Sequence, residues 1–143
     1  MSHTPDLLTG VAELLAAEGV GVYDDDSVLP AGATALVLGP VPDEPASVVG
    51  LTPYPVSDDD STDAVTAIQA AMRAGTDPTT VLALADAVFD ALHNRRNYLV
   101  RGVHVEVSWR NSQGWIGKDA KGRMELSANY YFRTVRSGSH LID

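Results

Sequence analysis

The sequence predicts an α+β fold: a mixed, mainly antiparallel sheet with a long C-terminal β-hairpin, packed by an N-terminal helix and a second helix from about Pro78 to Asn94. Three observations lead there. Apolar residues recur at helical spacing near the N-terminus. They do so again in the middle of the chain. Two stretches of the last third alternate between apolar and polar residues, the mark of half-buried strands. The 143 residues suit one domain around one core, expected over 1–143.

The elements follow in order. Thr4 can cap the first helix, Pro5 fits its first turn and Asp6 favours its positive end. Leu7, Leu8, Val11, Leu14 and Leu15 form one apolar stripe, and Gly19 is a natural stop. "VGVY" reads as a short strand, followed by an acidic turn from Asp24 to Ser27. "ATALVLGPV" reads as a strand by its apolar run. "ASVVGLTPYPV" reads as another at a sheet edge, because Pro53 and Pro55 donate no ladder hydrogen bonds. "STDAVTAIQAAMRAG" allows two readings: its alanines favour helix, while its alternation allows a half-buried strand.

Next comes a clear helix. Asp77 caps it, Pro78 starts it, and Val81, Leu82, Leu84, Ala85, Val88, Phe89 and Leu92 give its stripe, with Arg95 and Arg96 at its negative end. In "LVRGVHVEVSWR", Val103, Val105, Val107 and Trp109 are expected on one face. In "RMELSANYYFRTVR", Met124, Leu126, Ala128, Tyr130 and Phe132 share a face. "NSQGWIGKDAKG", Asn111 to Gly122, is expected to be a long projecting loop between these strands, and loops of that length are often functional.

The charge is uneven. Up to Asp90 there are 15 acidic residues against one basic residue, Arg73; from Ala91 on there are 4 acidic against 9 basic, for a net charge of -9. Such a chain is a poor general nucleic-acid binder, since phosphate contacts need positive potential. The polarity suits an acidic face of one copy meeting a basic face of another copy or a partner; two solvated faces are the plainer reading. No apolar run reaches the roughly 20 residues of a membrane helix, and no signal-peptide pattern opens the chain. With no cysteine there is no thiolate chemistry.

Chemistry is sparse. Asp58, Asp59 and Asp60 are adjacent, so their side chains diverge, whereas a hard-cation site draws oxygens from spaced positions. A turn or cap at Asp60 or Ser61, or plain solvation, is expected instead. The histidines show no metal spacing, and neither a nucleophile elbow nor a phosphate loop occurs. No catalytic residue, metal or cofactor is therefore expected. Trp115 and Ile116 stand out, because an exposed Trp-Ile pair invites a partner; the alternative is that Trp115 folds back onto its own sheet.

The order of these segments resembles the minor capsid and tail-terminator proteins of long-tailed, siphovirus-type phages of actinobacteria. The likeness lies in "GVGVYDDD", in "LTPYPVSDDD" leading to Arg73-Ala74-Gly75, and in Ile116-Gly117-Lys118-Asp119-Ala120-Lys121-Gly122-Arg123 entering Asn129-Tyr130-Tyr131. It spans about Leu7 to Arg136; the alanine-rich "VTAIQAAMRAG" departs from the bulkier strand usual there. The resemblance implies a structural virion protein, not an enzyme. It would form a homo-oligomeric ring, a hexamer, on the last ring of the tail tube. Its partners would be the tail tube protein and the head-tail connector or neck proteins. DNA would pass through the pore without specific binding, and no membrane would be involved.

Residues expected at protein interfaces are Trp115 as anchor, with Ile116, Lys118, Lys121, Arg123, Arg73, Asp58, Asp59 and Asp60. The lysines would steer toward acidic surface such as Asp24 to Asp26 or Asp58 to Asp60 of another copy. The competing readings are a neck or head-completion protein of the same virion, and a small metal-dependent hydrolase using Asp58 to Asp60 with His104.

Overall fold

The computed structural model describes residues 2–23 and 29–142; the acidic turn expected at 24–27 lies outside the described residues. The elements are α1 (His3–Ala17), β1 (Ala35–Leu38), β2 (Ser47–Asp58), β3 (Asp63–Ala74), α2 (Pro78–Leu92), β4 (Arg95–Val100), β5 (Val103–Lys118) and β6 (Met124–Val135). The strands form one sheet in the order β1-β2-β3-β6-β5-β4, and only the β1–β2 pairing is parallel. This is the expected α+β architecture. Both helices cover the same sheet face, and a continuous apolar core lies between them and the strands.

α1 starts two residues earlier than expected: Ser2, not Thr4, is its N-cap, so Pro5 and Asp6 lie inside the first turn. Leu7, Val11 and Leu15 are buried as expected. A Cβ at Gly10 would come within 2.6 Å of the Val100 Cβ, so glycine there lets α1 sit directly on β4.

"VGVY" is no strand. Val22 forms an isolated bridge with Ala35, through hydrogen bonds Val22 N–H to Thr34 O (2.8 Å) and Leu36 N–H to Val22 O (2.9 Å), and these two bonds are too few to make a ladder. β1 covers β2 only over Val48 to Leu51, so residues 52–58 have a free edge among the described residues. Pro53 and Pro55 sit in that uncovered half, as the edge reading required. β3 resolves the ambiguous alanine-rich stretch as strand. It lies between β2 and β6, its backbone bonded on both sides, with Ile68, Ala70, Met72 and Ala74 in the core. Tertiary pairing here overrides the helical preference of alanine.

α2 begins as read: the Asp77 carboxylate accepts from Thr79 N–H at 2.9 Å and Pro78 opens the helix. It ends at Leu92, short of Asn94, which has φ 58° and turns the chain. Arg95 and Arg96 therefore belong to β4, not to a helix end. The strand expected from Leu99 to Arg110 is in fact a hairpin, β4–β5. Its turn is Arg101-Gly102 with φ 46° and 79°, the left-handed pair that a tight two-residue hairpin needs.

Two further corrections concern β5. A register shift between Val105 and Val107 breaks the alternation, so Ser108, not Val107 or Trp109, faces the core. The strand also runs on to Lys118, with further shifts after Arg110 and Trp115. The long loop expected at 111–122 is thus mostly strand, and the connection shrinks to residues 119–123. In β6, Leu126, Ala128, Tyr130 and Phe132 are buried in strict alternation, as read from sequence.

Candidate functional site

The end of the β5–β6 hairpin is a clamp. The Asp119 carboxylate accepts from the N–H groups of Lys121 (3.0 Å) and Arg123 (2.8 Å), and from Arg123 Nε (2.7 Å). Arg123 also donates to the Asp43 carbonyl and carboxylate, both at 3.0 Å. The Lys121 ammonium meets Asp43 at 2.9 Å and Glu44 at 3.4 Å. From the other side Arg73, 3% exposed, donates to the carbonyls of Pro42 (2.7 Å), Asp43 (3.1 Å), Pro45 (2.8 Å) and Ala46 (3.2 Å). Three cations thus hold the segment 42–46 against the sheet.

The hydrogen bond and charge of Lys121, helped by Arg123, hold the Asp43 carboxyl below its ordinary range. At Asp119 burial pushes upward, but the hydrogen bonds from Arg123 and Lys121 outweigh it and the net shift is down. Arg73, Lys121 and Arg123 were all expected to face partners; the structure places each on groups of its own chain.

Trp115, Ile116 and Lys118 lie elsewhere. β4 pairs with β5 only as far as Ser108, so beyond the Arg110 N–H bond to His93 Nδ1 (3.0 Å) the outer edge of β5 is uncovered among the described residues. Trp115 stands opposite the buried Leu126 yet is 49% exposed, so it half covers its own sheet and half faces outward. Ile116, skipped in the pairing, is 57% exposed, and Lys118 is exposed with no ion pair among the described residues.

Of the three aspartates at the β2–β3 turn, Asp59 takes part in turn chemistry through its side chain. Asp59 Oδ1 accepts from Ser61 N–H and Oγ, both at 2.7 Å, which lowers its pKa, and the Asp60 carbonyl accepts from Ile142 N–H (2.7 Å). Among the described residues no group of three or more His, Asp or Glu side chains is placed to hold a metal. A shallow depression of about 320 Å³ lies where α1 starts beside the β4–β5 turn, lined by His3, Asp6, Arg101, Arg136 and Ser137. Arg101 there is already engaged by Glu13 (3.3 Å) and Asp6 (3.7 Å).

Sequence reasoning missed the sheet face without helices. Pairing registers align Tyr54, Ala67, Tyr131 and Trp109 in one row across four strands. The Trp109 and Tyr131 rings meet edge-on at 5.7 Å, and Tyr54 Oη donates to Asn129 Oδ1 at 2.9 Å. A neighbouring row runs Ser57, Val65, Arg133, Val107, Arg96. The alternation of β6 had already set Tyr131 and Arg133 opposite the core; only the shift in β5, unreadable from sequence, brings Trp109 beside them.

Among the described residues, the expected site residues lie on surfaces and sheet edges rather than in a cleft. A family profile described as bacteriophage tail terminator protein matches residues 14–136, and the chain belongs to this family of phage tail structural proteins, components of the virion. This agrees with the resemblance read from the residues. Among solved structures, a chain of the virion of a native gene transfer agent particle is similar at TM-score 0.63 and 20% identity, covering 94% of this chain and 99% of that one. A second solved chain matches at TM-score 0.56 and 11% identity, covering 94% of each. At these identities the two support the fold alone. No curated protein sequence matches. No helix among the described residues is long and apolar enough to cross a membrane.

Proposed function

We propose that this chain ends the phage tail: copies form a ring, a hexamer, on the last ring of the tail tube, stop its polymerisation and present the surface on which the head is joined. The observation that carries this reading is the distal half of β5. Its edge is unpaired among the described residues, it displays Trp115, Ile116 and Lys118, and the clamp at 119–123 braces its end, so a partner meets a preformed strand. Trp115 is the anchor, and its partner is the tube protein or a neighbouring copy. The head-tail connector proteins meet the opposite side of the ring, and DNA passes through the pore without specific contacts. Family membership supports the placement in the tail.

Deletion of the chain from a phage tests the reading. Overlong or ragged tubes and heads without tails are expected, and intact particles should hold six copies per tail end. Tails of normal length that fail only at DNA delivery would overturn termination in favour of a neck or head-completion role.

A further inference from the structure

The helix-free sheet face is only half covered. The segment 39–46 lies over one end of it: a Cβ at Gly50 would meet the Gly39 carbonyl at 2.7 Å, and Arg73 grips the same segment. The other end is bare among the described residues. It displays Tyr54, Val56 and Val135, all more than a third exposed, with half-buried Trp109, Tyr131, Val65 and Val107. Arg133 and Arg96 stand in this apolar field on either side of Val107. Among the described residues neither has a carboxylate within ion-pair distance, although Asp59 and Asp63 line a shallow depression beside Arg133.

The opposite side of the molecule carries the complement. α2 buries Val81, Leu84, Ala85, Val88, Ala91 and Leu92 against the core and turns Leu82, Ala83, Asp86 and Asp90 outward. Leu82, Asp86 and Asp90 fall four residues apart on one stripe. Among the described residues neither aspartate has a cation partner. Ala83 and the half-buried Ala87 keep the stripe low, so another surface can approach closely.

Resting on the ring reading, we propose that the open half of this sheet face in one copy docks on the outward stripe of α2 in the next copy, Arg133 and Arg96 meeting Asp86 and Asp90 around an apolar centre of Trp109, Tyr131 and Leu82. The two patches occupy opposite sides of each copy, so the contact is heterologous and repeats head to tail, the type that closes into a ring. Face-to-face pairing of two copies would instead set Arg133 and Arg96 against their own kind, which like-charge repulsion disfavours.

Charge reversal tests it. Oligomer formation by the purified chain, alone and on isolated tail tubes, is followed by sedimentation and by electron microscopy. Arg133→Glu and Asp86→Arg should each weaken self-association about tenfold or more, as loss of a desolvated charge pair does, and the double variant should recover most of it. Because the chain has no cysteine, Arg133→Cys with Asp86→Cys, treated with a short bismaleimide, should give a ladder of covalent multimers, and either cysteine alone should not. If the wild type forms rings while the reversals change nothing and no ladder appears, this docking is wrong and the ring reading stands. Dimers cross-linked by Arg133→Cys alone would show face-to-face pairing and overturn it. A wild type monomeric both in solution and on tubes would sink both readings.

Discussion

Replacing Arg73 by methionine keeps most of the aliphatic stem and removes the guanidinium. The carbonyls of Pro42, Pro45 and Ala46 then lose the Arg73 donor, and that of Asp43 keeps only Arg123. A hydrogen bond to a charged group contributes about 1.5–3 kcal/mol, but the segment 42–46 lies at the surface and water replaces part of what is lost. The burial of an arginine with no carboxylate in ion-pair range offsets more of it. A net cost of about 3 kcal/mol remains. For a chain of this size that corresponds to a fall of roughly 10 °C in Tm, or about 1.5 M in the urea midpoint. Arg73→Lys keeps the charge but cannot fork across four carbonyls, and about half the loss is expected. Urea titration followed by far-ultraviolet circular dichroism measures both. A loss below about 1 kcal/mol for the methionine variant, with assembly abolished, would refute the structural role and return Arg73 to the interface the sequence first suggested.

Three further outcomes are expected. Trp115→Ala removes a side chain about half buried on its own sheet; a large aromatic buries about 150–250 Å², so the monomer should lose about 2 kcal/mol, stay folded with unchanged circular dichroism, and fail to join tails to heads. Unfolding of that variant would make Trp115 a core residue, and normal joining would make the β5 edge a passive one. Ser108 is fully buried, donates to the Leu92 carbonyl at 2.6 Å and lies 2.6 Å from Tyr98 Oη, so Ser108→Ala should cost about 2 kcal/mol in a denaturant titration by orphaning both groups. The carboxyls of Asp43 and Asp119 are held below their ordinary 3.8, so the stability they add is complete above that pH and disappears as pH falls through their lower folded values. Hydrogen exchange at residues 42–46 and 119–123 should therefore rise only below about pH 4, and a transition near neutrality would contradict the clamp.

The elements with the strongest periodicity were the most legible. α1, α2 and β6 bury most of the residues their sequences nominate, because each presents a single stripe to a single core; an exception is Leu82, expected in the α2 stripe but exposed on the outward side of the helix. β5 defeated the same reasoning for one physical reason. Three register shifts move residues from face to face without any mark in the apolar-polar pattern, so Ser108 rather than Trp109 faces the core, and a segment with loop-like residues is strand. The Gly, Ser, Asn and Lys of 111–118 look like loop residues because this half of the strand lies past the helices and past β4, where little core remains to demand apolar side chains. The β4–β5 hairpin did carry a signal, Arg101-Gly102 between two valines, but arginine is an uncommon residue at positive φ and the turn went unread.

The charge polarity of the sequence has a partly internal resolution. Arg95 pairs with Glu18, Arg101 with Asp6 and Glu13, Lys121 with Asp43 and Glu44, and Arg123 with Asp43. In every one of these pairs a cation of the basic C-terminal part meets a carboxylate of the acidic N-terminal part. The asymmetry therefore acts first as a folding device, closing the ends of the sheet onto α1 and onto the segment 42–46. Most of these pairs are exposed and individually weak, but Arg123, at 7% exposed, is not. What the pairing leaves over is informative. Among the described residues several charged groups have no partner of opposite sign; those on the two facing patches and the β5 end are Arg96, Lys118 and Arg133 among the cations and Asp86 and Asp90 among the carboxylates. The cations lie on the open sheet face and at the free end of β5, and the carboxylates on the back of α2. Charges left unmatched within one copy, on opposite sides of it, can be matched between copies, and this places the search for the interface on the sheet face and the helix rather than on the clamp.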